Sequence, residues 1–238
     1  MEINNRDLVQ DFHKAFELLI SVHPYSNIFV EKPNIVKLRY DLIHEEFKEL
    51  LVAIETNNLV EVIDALMDIL YVIYGAQISY GVSSSLVNFE SYTLMIEDYS
   101  LHKLRDQVNK PGLQKVVETF KISLENFKTA NNMDQVENLL NELLINTYYM
   151  CYVQGFDVDY CFMLVHKSNM SKLCANEEIA IRTVDWYKKN HLKTYDSPSY
   201  KYNRELDLWI VFNQSSGKVL KSIEYHPVSF TEYLETMK

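Results

Sequence analysis

Residues 39 to 75 read RYDLIHEEFKELLVAIETNNLVEVIDALMDILYVIYG, and the fold follows from how acidic and apolar residues interleave along them. The stretch reads as two helices joined by the polar link Glu55, Thr56, Asn57 and Asn58. In the first helix Leu38, Leu42, Glu46, Glu49 and Ala53 recur at spacings of three or four, so they share one face and two acids interrupt an apolar stripe. In the second, apolar residues from Val62 to Ile73 surround the axis, which predicts a buried helix. Yet Glu61, Asp64 and Asp68 run along a single line of it.

Ionised carboxylates buried without partners cost several kcal/mol each. Neighbours about 4 Å apart add roughly 4 kcal/mol of repulsion at an effective dielectric of about 20. Arg39 and Lys48 are the basic residues of the stretch, and Lys48, two positions from Glu46, faces elsewhere. Hard divalent cations held by carboxylate oxygens are the simplest remedy, and Mg²⁺ held this way usually shares its shell with substrate phosphates. A solvated helix face would account for one acidic pair but poorly for both pairs on helices this apolar.

Glu46-x-x-Glu49, a short link and Glu61-x-x-Asp64 resemble the ExxE…ExxD signature of the all-α nucleoside triphosphate pyrophosphohydrolases. These are the MazG-like proteins, the phosphoribosyl-ATP pyrophosphohydrolases and the dimeric dUTPases. The flanking patterns Arg39-x-x-Leu42-Ile43-x-Glu45-Glu46 and Asp64-Ala65-Leu66-x-Asp68-Ile69-x-Tyr71-Val72-x-Tyr74-Gly75 extend the resemblance. Asp11-Phe12-His13-x-x-Phe16 is similar to the N-terminal helix of phage and viral members. The link, eleven residues from Leu50 to Val60, is at the short end of the family's range.

Composition sets bounds. The 238 residues suffice for a full core, and 47% hydrophobic with 24% charged residues describes a soluble globular chain. Five Gly and five Pro leave little loop punctuation, which favours helices. A net charge of −10 argues against a nucleic-acid binder and would repel a triphosphate not complexed with metal. Cys151, Cys161 and Cys174 show no CxxC spacing and read as reduced structural thiols in a cytoplasmic protein. The N-terminus lacks a signal-peptide pattern, and Asp64 and Asp68 break the best membrane-span candidate.

Along the chain, residues 5–22 read as an amphipathic helix that Asn5 can cap, and His13 beside its apolar stripe reads as a hydrogen-bonded structural residue. The second acidic helix continues to about Tyr80, with Gly81 at its C′ position, and further helices are expected over 83–105, 113–129 and 133–153. A slide of 74 positions, without a gap, places Asn57, Asn58, Val62, Leu66, Leu70, Tyr74 and Gly81 on Asn131, Asn132, Val136, Leu140, Leu144, Tyr148 and Gly155. The chain therefore carries one supersecondary unit twice. In the second copy Phe120, Ser123, Gln135 and Asn138 stand where the first has Glu46, Glu49, Glu61 and Asp64.

The expected architecture is all-α: a helical bundle of two tandem helix-pair repeats over residues 1–175, active at about 33–91 and degenerate at about 107–165. A C-terminal extension, 176–238, carries a small β-hairpin formed by Leu208–Phe212 and 218–223 around a turn at 213–217. The resemblance implies a pseudo-dimer in one chain, since smaller family members dimerise, and leaves a homodimer of the whole chain open. It also implies cleavage of a nucleoside triphosphate between the α- and β-phosphorus, with Mg²⁺ or Mn²⁺ held by Glu46, Glu49, Glu61 and Asp64. Glu45 is the candidate general base and Asp68 the alternative. The blocks Ser168-Asn169-x-x-Lys172 and Gly217-Lys218-x-x-Lys221 resemble family motifs, which makes Asn169, Lys172, Lys218 and Lys221, with Arg39, candidate substrate contacts. Phosphoribosyl-ATP pyrophosphohydrolase and dUTPase-like activities are alternatives, and a non-enzymatic helical interaction protein is the rival from another class. Neither a Walker A nor a GxGxxG sequence occurs, and Glu-x-x-His pairs of a di-iron bundle are absent from these helices.

Overall fold

A computed structural model describes residues 4–83, 107–191 and 193–236, so the helix expected over 83–105 falls almost wholly outside the described residues. The elements are α1 (Asn5–Ala15), α2 (Ile28–Glu31), α3 (Pro33–Glu55), α4 (Leu59–Tyr80), α5 (Lys110–Thr129), α6 (Met133–Gln154), α7 (Val158–Met170), α8 (Glu177–Asn190), β1 (Pro198–Asn203), β2 (Leu208–Asn213) and α9 (Thr231–Thr236). The protein is an all-α bundle with a small hairpin near its C-terminal end.

The central element is α4, packed against α3, α6, α1 and α7, which is why its sequence is apolar all round. Its ends are set by two local devices. The Asn58 side chain accepts a hydrogen bond from the Glu61 N–H (3.3 Å), and Gly81 stops the helix at φ 71°, where a side chain is disfavoured. Both devices recur in α6: the Asn132 side chain accepts from the Gln135 N–H (3.0 Å) and Gly155 stands at φ 74°. The bounds of α4 and α6 differ by 74 positions at both ends, the offset of the sequence repeat.

The two helix pairs, α3 with α4 and α5 with α6, meet through α4 against α6 and α3 against α5. Tyr74 and Tyr148 are repeat images of one another, and their hydroxyls are hydrogen-bonded at 2.8 Å. A residue that meets its own image marks a two-fold axis, so the pair behaves as an isologous interface within one chain. Nearby, Phe47 stacks on Phe120 with ring centroids 4.7 Å apart.

Three local expectations need correction. Helix α1 ends at Ala15, not near residue 22, and its cap is Asn4, whose side chain accepts from the Arg6 N–H (3.0 Å). Asn5 is instead buried and donates to Asp159 (2.8 Å). Glu17 takes a positive φ of 51°, and the chain then runs back along α4, the Ser21 N–H donating to the Ile78 carbonyl (3.0 Å). Second, the C-terminal extension, expected to carry a hairpin, opens with a helix, α8, capped by Asn176 and burying Ile179, Ala180, Thr183, Val184 and Tyr187.

Third, the hairpin partner of β2 lies upstream. Strand β1 pairs antiparallel with β2 from Pro198↔Asn213 to Asn203↔Leu208. Residues after the 213–217 turn meet the end of β2 through the Asn213 N–H donated to the Lys218 carbonyl (2.8 Å), the bridge Phe212↔Val219 and the Leu220 N–H donated to Val211 (2.9 Å). The β1–β2 turn needs no glycine because the Asn203 side chain accepts from the Glu205 and Leu206 N–H groups (2.9 and 3.1 Å), while Asp207 takes the left-handed φ of 55°. Between α8 and the hairpin a second small core forms from Cys174, Ile179, Ala180, Val184, Val211 and Leu220.

Candidate active site

The hairpin extension lies over the groove between α3 and α4 and encloses a cavity of about 510 Å³. Glu45, Glu46 and Glu49 of α3 and Asp64 and Asp68 of α4 line one wall. Lys172, just past α7, and Lys218 and Lys221, beyond the turn after β2, line the other. Sequence spacing put the acids on facing lines of two helices, and packing α3 against α4 brings those lines together. Glu61 is exposed and stands outside the lining, nearly one turn before Asp64.

The acids are crowded. Burial first, and then the charges of Asp68, Glu49 and Glu45, push the Glu46 carboxyl up to about 9, with Lys218 opposing. Burial, then Asp68 and Glu61, raise Asp64 to about 7. Glu49 is raised as well, by burial and Glu45, and Asp68 by burial against the pull of Lys172 and Lys221. Asp64 Oδ1 is buried with no hydrogen-bond partner. A buried, unpaired carboxylate oxygen in a cluster of repelling acids is what a cation would relieve. As the side chains stand, no three His, Cys, Asp or Glu among the described residues converge tightly enough to enclose an ion.

The candidate base Glu45 is exposed and accepts a hydrogen bond from Lys218 Nζ at 2.6 Å. Lys172 donates to Asn169 Oδ1 (2.5 Å), and burial holds its ammonium down to about 8 against the attraction of Asp68. Lys221 is exposed, its Nζ 4.8 Å from the Tyr225 ring centroid. Asn169 is buried and faces the cavity. Arg39, also buried, lines its inner end, with Nε donating to Ser79 Oγ (3.0 Å) and Nη2 beside His13 Nε2 (3.3 Å). His13, held down to about 3 chiefly by burial and then by Arg39, also contacts the Leu19 carbonyl (3.0 Å).

Sequence reasoning passed over the aromatic rim of Trp186, Tyr187, His191 and Tyr195. Its signal was present: Asn176 as cap, Glu177 and Glu178 in the first turn, then apolar residues at helical spacing. The second helix pair offers no counterpart to the acid wall. There Phe120 is fully buried, Ser123 donates to Glu142 (3.0 Å), and Gln135 accepts from the Asn131 N–H (3.2 Å). Glu142, the repeat image of Asp68, is the acid retained at these positions.

The family model described as phosphoribosyl-ATP pyrophosphohydrolase matches residues 9–88, the segment from α1 through α4 and a little beyond. An uncharacterized protein of Acanthamoeba polyphaga mimivirus is 35% identical over 244 residues, spanning 97% of this chain and 96% of its own length. No solved structure matches the chain significantly.

Proposed function

The chain belongs to the all-α nucleoside triphosphate pyrophosphohydrolase superfamily through its phosphoribosyl-ATP pyrophosphohydrolase segment, and from that premise we propose a divalent-metal-dependent enzyme that cleaves a nucleoside triphosphate between its α- and β-phosphates. The observation that carries the reading is the wall of five acids facing three lysines across one cavity, with Asp64 Oδ1 buried and unpaired.

Glu46, Glu49 and Asp64 would hold Mg²⁺ or Mn²⁺, with Glu61 joining from the rim. When bound, such ions neutralise phosphate charge and make water more acidic. Lys172, Lys218 and Lys221 would take phosphate oxygens and orient the chain of phosphates along the acid wall. The 2.6 Å hydrogen bond from Lys218 Nζ also holds the carboxylate of Glu45, the candidate general base, at the edge of the acid wall. Asp68, deeper and flanked by Lys172, is the second candidate for that role. The matched family favours phosphoribosyl-ATP as an alternative substrate for the same bond cleavage.

The test is pyrophosphate release from a panel of canonical and modified nucleoside triphosphates, with phosphoribosyl-ATP included, in Mg²⁺, Mn²⁺ or excess chelator. Activity is expected only with metal, and Glu49→Gln or Asp64→Asn is expected to abolish it in a chain that still melts cooperatively. Turnover in chelator, or full turnover in both variants, would overturn the mechanism.

A further inference from the structure

Arg39 is buried to 4% exposure at the inner end of the cavity, and no carboxylate among the described residues lies within ion-pair distance of it. A buried guanidinium without a counter-ion is costly, and its donors need acceptors. The surrounding network can be solved from what each group is able to do. The Leu19 carbonyl only accepts, so it takes hydrogen bonds from His13 Nδ1 (3.0 Å) and Ser79 Oγ (3.2 Å). His13 Nε2 is thereby left as the acceptor for Arg39 Nη2, and Ser79 Oγ accepts from Arg39 Nε.

Two of the five guanidinium N–H groups are thus used, and three remain without an acceptor among the described residues. Gly75 lets the group stand close: a Cβ there would lie 3.1 Å from Nη1 and from His13 Nε2. Between this donor-only end and the acid wall the lining is apolar, with Phe12, Leu38, Leu42, Val72 and Val165. Gly75 follows Asp68 by seven residues on α4, and Arg39 precedes Glu46 by seven on α3, which is about 10.5 Å along each helix. That separation suits a nucleotide with phosphates at the acids and base at Arg39.

We propose that this inner end is the nucleobase subsite and that it prefers bases carrying a ring carbonyl over adenine. The inference rests on the nucleotide reading of the cavity and narrows it. Uracil, thymine, cytosine and guanine each present a carbonyl oxygen that Arg39 can donate to between apolar walls. Adenine has no carbonyl: its ring nitrogens N1, N3 and N7 accept one hydrogen bond each, and beside N1 and N7 the exocyclic amino group turns a donor toward the guanidinium, so it meets fewer of the Arg39 N–H groups than a carbonyl oxygen with two lone pairs. Phosphoribosyl-ATP, built on adenine, is disfavoured for the same reason. A site built on hydrogen bonds discriminates because the wrong ligand leaves its buried polar groups unpaired.

Equilibrium titration with CMP, GMP, UMP, dTMP and AMP, without metal, tests the subsite apart from hydrolysis. The carbonyl-bearing monophosphates are expected to bind at least about tenfold more tightly than AMP. Arg39→Met should erase the difference. If that variant fails to melt cooperatively, Leu42→Phe, which fills the space between Arg39 and the acids, should weaken all four while sparing inorganic triphosphate binding in Mg²⁺. AMP binding as tightly as the others, a preference that survives Arg39→Met, or unchanged monophosphate binding in Leu42→Phe would overturn the proposal. So would inorganic phosphate competing through Arg39, which would make the inner end an anion site. Base preference without any triphosphate hydrolysis would sink the enzymatic reading alone, and hydrolysis without base preference would sink this inference alone.

Discussion

At the scale of single residues, the acids of the cavity store repulsion that the fold tolerates. Glu46 and Asp64 have folded values raised to about 9 and about 7, so above pH 4 to 5 the folded chain holds protons that the unfolded chain has released. Stability contributed by such groups falls as pH rises through that window, since the native state binds more protons than the unfolded one. His13 has the opposite sign: neutral in the fold and lowered to about 3, it loses stability as pH falls below about 6.5. Lys172, held down to about 8, adds a contribution of rising sign only above that value. Between pH 6.5 and 8 the acids therefore govern. In chelator the melting temperature should fall across that interval, Glu46→Gln should flatten the fall, and millimolar Mg²⁺ should reverse it. A wild-type melting curve that does not move between pH 6.5 and 8 would show that the acids are not strained.

At the scale of elements, the repeated helices α4 and α6 share their caps but differ in what surrounds them. Gly81 and Gly155 both sit near φ 70°, where a Cβ costs about 1–2 kcal/mol. At Gly155 an added Cβ meets nothing within 4 Å, whereas at Gly81 it would lie 2.0 Å from the His23 carbonyl oxygen. Gly155→Ala should thus show the backbone cost alone, and Gly81→Ala should lower the denaturation midpoint further by displacing residues 21–23 from the end of α4. Equal losses in the two variants would mean that this contact is soft. The caps were legible because Asn at the start and Gly at the end act through local backbone chemistry. The hairpin was not. Its turn relies on Asn203 and on a left-handed Asp207, while the glycine-containing turn at 213–217 gave a stronger local signal for a pairing that reaches only one bridge. Helix α1 was overread for a related reason: Leu18, Leu19 and Ile20 continue an apolar pattern, but they serve the return of the chain along α4. Likewise the acid lines of α3 and α4 could be read from spacing, whereas the placing of the aromatic rim at the cavity and the burial of Arg39 away from any carboxylate among the described residues depend on long-range packing.

At the scale of the whole molecule, the internal two-fold brings the two helix pairs together through residues that are images of one another, yet the acid wall exists on one side of it. A symmetric pair of acid walls would place twice the negative charge in one bundle, in a chain that already carries a net charge of −10. The second pair instead buries Phe120 against Phe47 and satisfies Ser123 and Gln135 with local hydrogen bonds. Its single retained acid at the corresponding positions, Glu142, is bound by Ser123. The chain after α7 reinforces the asymmetry, because Lys172 and, in the extension, Lys218 and Lys221 face the first pair's acids. On the proposed function, one nucleotide per chain is the expected stoichiometry. Titration with a non-hydrolysable nucleoside triphosphate in Mg²⁺ should saturate at one equivalent, and Gln135→Ala should leave Mn²⁺ affinity unchanged because Gln135 serves only the start of α6. Two equivalents per chain, or a loss of Mn²⁺ binding in Gln135→Ala, would mean that the second helix pair has kept a working site.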